Sequence, residues 1–197
     1  MPRSEAQFEA MRRSTRDKLQ AAGSRLFAQK GVAGTGVQEL AQSAGISVGL
    51  LYRHYKTKEE LFDELVDFAR IGLSQLTECF LAAGDPLEIL TSLTEDVAAQ
   101  YREDSRFVEY MLFLSQAMLA EPQRPSVAAL LEEDKRRADA LAALIARGQQ
   151  LGQFRSDDPH SLAFAYLSMF QGIGIFCSTM PGTLQVPAAE ILLRILR

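Results

Sequence analysis

The stretch GTGVQELAQSAGISVGLLYRHYKTKEE, residues 34–60, decides how the chain is read. Val37, Leu40, Ala41 and Ala44 recur at the spacing of one helical face, so Val37 to Ala44 reads as a short helix with a core-facing side. Gly45 breaks it. Ile46 and Ser47 make a tight turn, and Ser47 is placed to cap a second short helix from Val48 to about Tyr55. Two short helices joined across a glycine-containing turn form a helix-turn-helix arrangement, whose second helix enters the major groove of DNA. A helical hairpin with no DNA role has the same spacing, so the residues themselves must separate the two.

Working outward, Thr57 caps the next helix and Glu60 stands three residues later, the pattern of a capping box. That helix continues through Leu61, Phe62, Leu65, Phe68 and Ala69. Upstream, Thr15 opens a helix with Leu19, Ala22, Gly23, Leu26 and Phe27 on one stripe, and Gly31 ends it in the left-handed region. Residues 1–13 read as a polar, partly disordered arm.

From about residue 14 to residue 65 the sequence resembles the N-terminal DNA-binding domain of the TetR family of bacterial regulators. The resemblance lies in LFAQKG at 26–31, ELAQSAGIS at 39–47 and GLLYRHYKTKEELF at 49–62, in that order. It implies an all-α protein of about nine helices. Residues 1–58 would be the DNA-binding domain with its arm, and residues 59–197 a helical effector-binding and dimerisation domain. It assigns Tyr52 to a DNA phosphate and points Leu51 and Tyr55 into the core. Thr35 matches the family, whereas Gly36 replaces the more usual Ser at a cap, a loss of a few tenths of a kcal/mol. Thr35, Gln38 and the N–H groups of the helix beginning at Val37 are expected to hold a phosphate. Ser47 joins this DNA-facing set, and Gly49 permits close backbone approach. Val48 and Leu50 depart from the polar or small residues common there; both suit contact with thymine methyls, although Leu50 equally suits packing. Arg53 reads guanine or holds a phosphate. His54 touches phosphate or faces solvent. Lys56 and Lys58 reach phosphate in this context, and are surface charges in a generic one.

Composition agrees without deciding. The chain has 197 residues, 47% hydrophobic and 23% charged, with a formal net charge of -4. Residues 1–60 carry ten Lys or Arg against six Asp or Glu, and the rest eleven against nineteen. A basic end on an acidic body fits a DNA head joined to a part that need not touch phosphate, and chance variation in surface charge gives the same counts. Cys79 and Cys177 stand alone, with no disulfide or zinc pattern. The N-terminus has no apolar signal segment and no uninterrupted apolar run reaches about 18 residues, so a cytoplasmic protein without a membrane partner is expected.

The body reads as successive helices: Gly72–Ala83, Leu87–Tyr101, Phe107–Leu119, Ser126–Gly148, His160–Met180 and Pro187–Arg197, with Pro181 and Gly182 stopping the penultimate one. Glu132 to Arg137 is a charge run most simply read as a solvated face. Phe107, Tyr110, Met111, Phe113, Leu114 and Met118 place apolar residues on more than one face, as a buried core helix does. The family resemblance adds a second use, an effector cavity with Phe170 as an opposite wall. Tyr110 and Gln116 would orient a polar atom if they point inward. With no evident internal cation, the effector is expected to be largely apolar. Ser168, Gly172 and Phe176 on the penultimate helix, with Gly174 and Cys177 nearby, and Ile191, Leu192, Ile195 and Leu196 on the last form stripes that the resemblance assigns to a two-fold interface.

The leading reading is a homodimeric repressor binding palindromic duplex operator DNA and released by a small-molecule effector. An activator or DNA-organising relative shares the same head. A helical enzyme is the competing class, but two histidines, two cysteines and scattered carboxylates make no metal signature, nucleophile set or nucleotide fingerprint. No cofactor, metal or catalytic residue is expected.

Overall fold

The computed structural model describes residues 5–180, 182 and 185–197, with side chains from Arg12 onward. The described residues form helices α1 (Glu5–Gly34), α2 (Val37–Ser43), α3 (Val48–His54), α4 (Lys58–Leu81), α5 (Pro86–Glu103), α6 (Ser105–Ala120), α7 (Pro125–Gln150), α8 (Pro159–Thr179) and α9 (Ala189–Leu192). A 3-10 turn, Leu193–Leu196, follows, and no strand occurs among these residues. The fold is all-α, as read from the sequence. Local chemistry sets the helix starts. Ser47, Thr57, Asp85, Asp104 and Asp158 each accept a backbone N–H in the first turn, and α5, α7 and α8 begin with proline, whose missing N–H costs nothing there.

Several boundaries differ from expectation. Residues 5–13 belong to α1 rather than to a disordered arm, while residues 1–4 lie outside the described residues, as does the expected stop at Pro181. Gly31 has φ 69° and ψ 169°, a positive-φ kink outside the left-handed helical well, followed by one further turn. The segments expected before and after residue 71 are one unbroken helix, α4. The last helix is a single α-helical turn plus the 3-10 turn, and buries Leu192, Leu193 and Leu196 inside its own chain. Ile195 packs in part against that same interior, whereas Ile191 stays exposed. Helix α8 is long and apolar enough by length and composition to cross a membrane, but it packs on α7 and α6.

Two cores organise the molecule. The first joins Leu19, Leu26 and Phe27 of α1, Leu40 of α2, Leu51 of α3 and Leu61 of α4 to Phe113 and Leu114 of α6 and Leu130 of α7. It runs across the boundary expected at residues 58/59. At its centre Phe27, Phe62 and Phe113 meet with ring centroids 5.7, 6.0 and 5.3 Å apart. Tilted and edge-on rings at these distances add to simple area burial. Phe113, expected on a cavity wall, is 1% exposed and fills this junction instead. The second core packs Phe80, Leu90, Leu141, Leu144, Ile145 and Tyr166 from α4, α5, α7 and α8 against Leu193 and Leu196. Two glycines explain themselves there. A Cβ on Gly148 would fall 2.2 Å from the Phe154 ring, and one on Gly174 would fall 3.1 Å from the Tyr101 hydroxyl.

Polar contacts fix the same head–body junction. Arg124, in the loop between α6 and α7, donates to both carboxylate oxygens of Asp63 at 2.6 and 2.9 Å and lies 4.6 Å over the Phe62 ring. Ser126 also donates to Asp63, at 2.6 Å. The Tyr110 hydroxyl donates to the Leu65 carbonyl at 2.7 Å, tying α6 to α4. Phe113→Ala removes the shared ring and is expected to lower folding stability by about 3–5 kcal/mol, read by urea denaturation. A loss below about 1 kcal/mol would mean that head and body do not depend on this junction.

Candidate functional site

Helices α2 and α3 meet through a turn that only glycine makes cheaply. Gly45 sits at φ +66°, where the missing Cβ removes the steric penalty, and Ile46 N–H returns to the Ala41 carbonyl at 2.9 Å. The Ser47 hydroxyl then accepts the Leu50 N–H at 3.2 Å. Leu40, Ala41, Ala44, Leu51 and Tyr55 turn inward, and this fixes which side of α3 faces out. That outer side carries Tyr52, which is 52% exposed, together with exposed Arg53 and Lys56. Gln38, Ser47 and Gly49 are exposed beside them, and a Cβ on Gly49 would meet nothing within 4 Å. Val48 is half-buried against the first core; Leu50 and His54 are half-buried.

Two expected phosphate ligands are placed differently. Thr35 is 1% exposed, and its hydroxyl donates to the Gly31 carbonyl at 2.7 Å, closing the end of α1. The side chain is therefore committed to a helix terminus whose carbonyls need donors. Lys58 donates to the Thr35 carbonyl at 2.8 Å and the Ala33 carbonyl at 3.2 Å, so its ammonium clamps the same loop. The capping box at α4 is also shifted. Glu60 N–H donates to Thr57 at 3.2 Å, but the Glu60 carboxylate accepts from Lys56 N–H at 2.6 Å rather than from the cap residue.

Glu64 carries no signal in the sequence that would single it out. Its carboxylate accepts from Tyr55 at 2.7 Å, Gln20 at 2.7 Å and Arg16 Nε at 2.9 Å, with a second bond from Arg16 Nη2. One side chain thus ties α1 and α4 to the C-terminal cap of α3. Burial pushes the Glu64 carboxyl up, yet the bonds from Arg16, Tyr55 and Gln20 outweigh it and hold the group below the ordinary carboxylate value. Burial, then the nearby Arg12 and Arg16 charges, hold His54 below the ordinary imidazole value.

The body contains a cavity of about 650 Å³ among α4, α5, α6, α7 and α8. Phe107, Tyr110, Met111, Leu114, Met118 and Phe170 border it. Phe113 and Gln116 do not, and the Tyr110 hydroxyl is committed to the Leu65 carbonyl. Ser168, expected at a subunit interface, also borders the cavity. The charge run on α7 is not simply a solvated face. Glu133 is buried and accepts from Thr77 at 3.1 Å and Arg136 at 2.9 Å, while Asp134 and Arg137 border the cavity. Arg137 is thus a part-buried cation on the cavity lining, paired with Asp134. Among the described residues no three His, Cys, Asp or Glu side chains converge as a metal site.

A family model described as bacterial regulatory proteins, tetR family, matches residues 19–65, from the first core stripe of α1 through α3 into α4. The helix-turn-helix head is a TetR-family DNA-binding domain by this match. The HTH-type transcriptional regulator AcrR of Shigella flexneri is 35% identical over 81 residues, which cover 40% of this chain and 38% of AcrR. Well under two thirds of that relative's length is thus matched. The structure of the TetR family regulator PfmR from Thermus thermophilus has a TM-score of 0.69 at 28% identity, covering 92% of this chain and 95% of PfmR. AibR, solved in complex with isovaleryl coenzyme A and operator DNA, shares the fold at a TM-score of 0.68 and 23% identity, covering 92% of this chain and 94% of AibR.

Glu64→Gln should loosen the α3 cap. Amide exchange from Leu50 to Tyr55 is expected to speed up, with a stability loss of about 1–3 kcal/mol at neutral pH. The depressed Glu64 carboxyl contributes stability above its ordinary unfolded value and loses it as pH falls through the lower folded value. The gap between wild type and Glu64→Gln should therefore narrow under acid. A gap constant across that range would show that the carboxylate charge is not what holds α3.

Proposed function

We propose that the protein is a homodimeric TetR-like transcriptional repressor that works in the cytoplasm, binds palindromic duplex operator DNA and is released by a small, largely apolar effector. The observation that carries this reading is the outward pair Tyr52 and Arg53 on α3, mounted on a core that continues to the wall of the body cavity. Arg53 reads guanine in the major groove, and Tyr52, Gln38 and Lys56 hold phosphates. Val48 and Leu50 offer apolar contact to thymine methyls, within the limits of their half-buried positions. Lys58 acts through the loop it clamps unless DNA draws its ammonium away. His54, neutral at physiological pH in the free protein, gains a proton more readily beside a phosphate.

Helix α8 supplies the two-fold contact. Its surface carries Phe164 at 75% exposure, Phe176 at 51% and Ile175 at 49%, and a Cβ on Gly172 would meet nothing in its own chain. Exposed aromatic and aliphatic side chains along one helix are the usual material of an obligate interface. Effector control works through α6. Tyr110 borders the cavity and holds the α4 backbone, and Leu114 belongs to both the cavity wall and the first core. A ligand that binds more tightly to one position of α6 biases the spacing of the two heads, and without that difference in affinity no control results.

Selection of bound sequences from random duplex DNA tests the reading. It should return two-fold symmetric sites, with half-sites about one helical turn apart or a multiple of it. Arg53→Ala should relax preference at one base position by about 1–3 kcal/mol, whereas Lys56→Ala should weaken all duplexes alike and reduce the salt slope by about 1. Recovery of no preferred sequence would sink the proposal. Sedimentation at micromolar protein should find a dimer that Phe176→Glu converts to monomer; a dimer indifferent to Phe176→Glu would put the contact elsewhere than this face of α8.

A further inference from the structure

Helix α5 meets the cavity with Leu93, Asp96, Val97, Gln100 and Tyr101, at the three- and four-residue spacing of one helical face. Asp96 is therefore a carboxylate on a stripe that is otherwise uncharged. Its side chain is exposed while bordering the cavity, so it stands where the space opens to solvent. No hydrogen bond or ion pair joins Asp96 to another described residue. The other full charges on the lining are matched to each other, since Arg137 donates to Asp134 at 2.5 Å on α7. His160, formally neutral, lies 3.9 Å from Asp139. Asp96 and Asp134 against Arg137 thus leave the lining with one negative charge that the chain does not answer.

Aromatic rings narrow which ligands that charge fits. Phe68 and Tyr110, Tyr101 and Phe107, and Tyr166 and Phe170 pair edge-on along the lining, with centroids 6.2, 5.0 and 5.2 Å apart. Ring faces are negative, so they attract a cation and repel an anion. An anion would meet these faces, the unmatched Asp96 and a guanidinium already spent on Asp134. An uncharged ligand would gain the apolar contact, but it would strip water from the Asp96 carboxylate without replacing it. A cation supplies the missing charge, and its own loss of water is limited because Asp96 lies at the opening. At longer range, residues 61–197, with eleven Lys or Arg against nineteen Asp or Glu, favour the approach of positive charge. The volume of about 650 Å³ suits a drug-sized molecule.

We propose that the cavity takes an amphipathic cation, an apolar body carrying one ammonium group, and that Asp96 meets the ammonium at the opening while the body lies among Met111, Leu114 and Phe170. This rests on the reading of the cavity as the effector site and adds a charge to the ligand it selects. The Asp134–Arg137 pair stays intact and takes no part in holding the ammonium.

Three probes of one shape test this on the full chain by titration calorimetry at low salt: phenylbutylamine, phenylbutanol and phenylbutyrate. The amine should bind about fivefold or more tightly than the alcohol, and the carboxylate most weakly, with the amine's lead shrinking as salt is added. Asp96→Asn, a change at an exposed position, should bring the amine down to the level of the alcohol and leave the alcohol unchanged. Met111→Trp and Phe170→Trp, each checked for folding by thermal denaturation, narrow the cavity and should weaken the amine and the alcohol alike. Equal binding of amine and alcohol to the wild-type protein, or an amine lead that survives Asp96→Asn, would overturn the role of Asp96 and leave the cavity reading standing. Tightest binding by the carboxylate would overturn the cationic ligand. Amine binding unchanged in both tryptophan variants would put the probe outside the cavity and overturn the proposal. No binding by any of the three would overturn it together with the effector reading.

Discussion

The contact among Phe27, Phe62 and Phe113 is the constraint on which the rest of the structure depends. These rings come from α1, α4 and α6, so they belong to the head, the connecting helix and the body respectively. Helices α2 and α3 have seven residues each, far too short to persist alone in water. They persist because Leu40 and Leu51 are buried against α1 and α4, which are in turn fixed by α6. The orientation of the outward face of α3 is therefore set by the body as much as by the head itself. A core shared in this way makes movement of α6 mechanically relevant to α3, since packed interiors shift between discrete arrangements rather than stretching.

Polar groups refine what the apolar core allows. Glu64 gathers donors from α1 and from the cap of α3, and Asp63, its neighbour on α4, takes the fork of Arg124 from the far side. Adjacent residues on one helix thus bind the head on one side and the α6–α7 loop on the other. Both carboxylates are partly buried and held ionised by their partners, Arg124 for Asp63 and the Arg16, Tyr55 and Gln20 set for Glu64. Charge-assisted bonds of this kind specify geometry more than they stabilise, because desolvation offsets much of their attraction. Here they fix the rotation of α4, a helix that meets the cap of α3 at one end and borders the cavity further along.

The body resolves a different conflict. Its second core closes one end with Phe80, Leu141, Leu144 and Tyr166, yet between the two cores a large space is left among five helices. Such a space forfeits dispersion contacts and is destabilising in a protein of this size unless something fills it. The Tyr166 hydroxyl is paired with Thr94 at 2.8 Å, and that of Tyr101 donates to the Phe170 carbonyl at 3.1 Å. The aromatic lining is thereby held in place with few polar atoms left to offer. Asp96 and Gln100 of α5, Asp134 and Arg137 of α7, and His160 and Ser168 of α8 are among the polar groups left on the lining.

Local chemistry made much of this readable in the sequence. Ser47, Thr57 and the proline starts each act within about four residues of their own position, and the period of Leu40, Ala41, Leu51 and Tyr55 dictates the inward face of α2 and α3. The outward set at Tyr52 and Arg53 follows by subtraction. What the sequence left open depends on helices distant in the chain meeting at particular angles. Phe113 and Met111 carry the same apolar signal two residues apart, and only the crossing of α1, α4 and α6 decides that one fills the junction and the other borders the cavity. Thr35 is a polar residue in a loop until the end of α1 supplies acceptors for its hydroxyl. Glu64 has donors from positions 16, 20 and 55 that no short-range pattern links. Arg137 lies in a charge run whose period gives no inward residue, and the packing of the bundle around α7 turns it to the cavity. Periodicity and capping act over a few residues and are written in order along the chain; burial is decided by long-range packing, which is not.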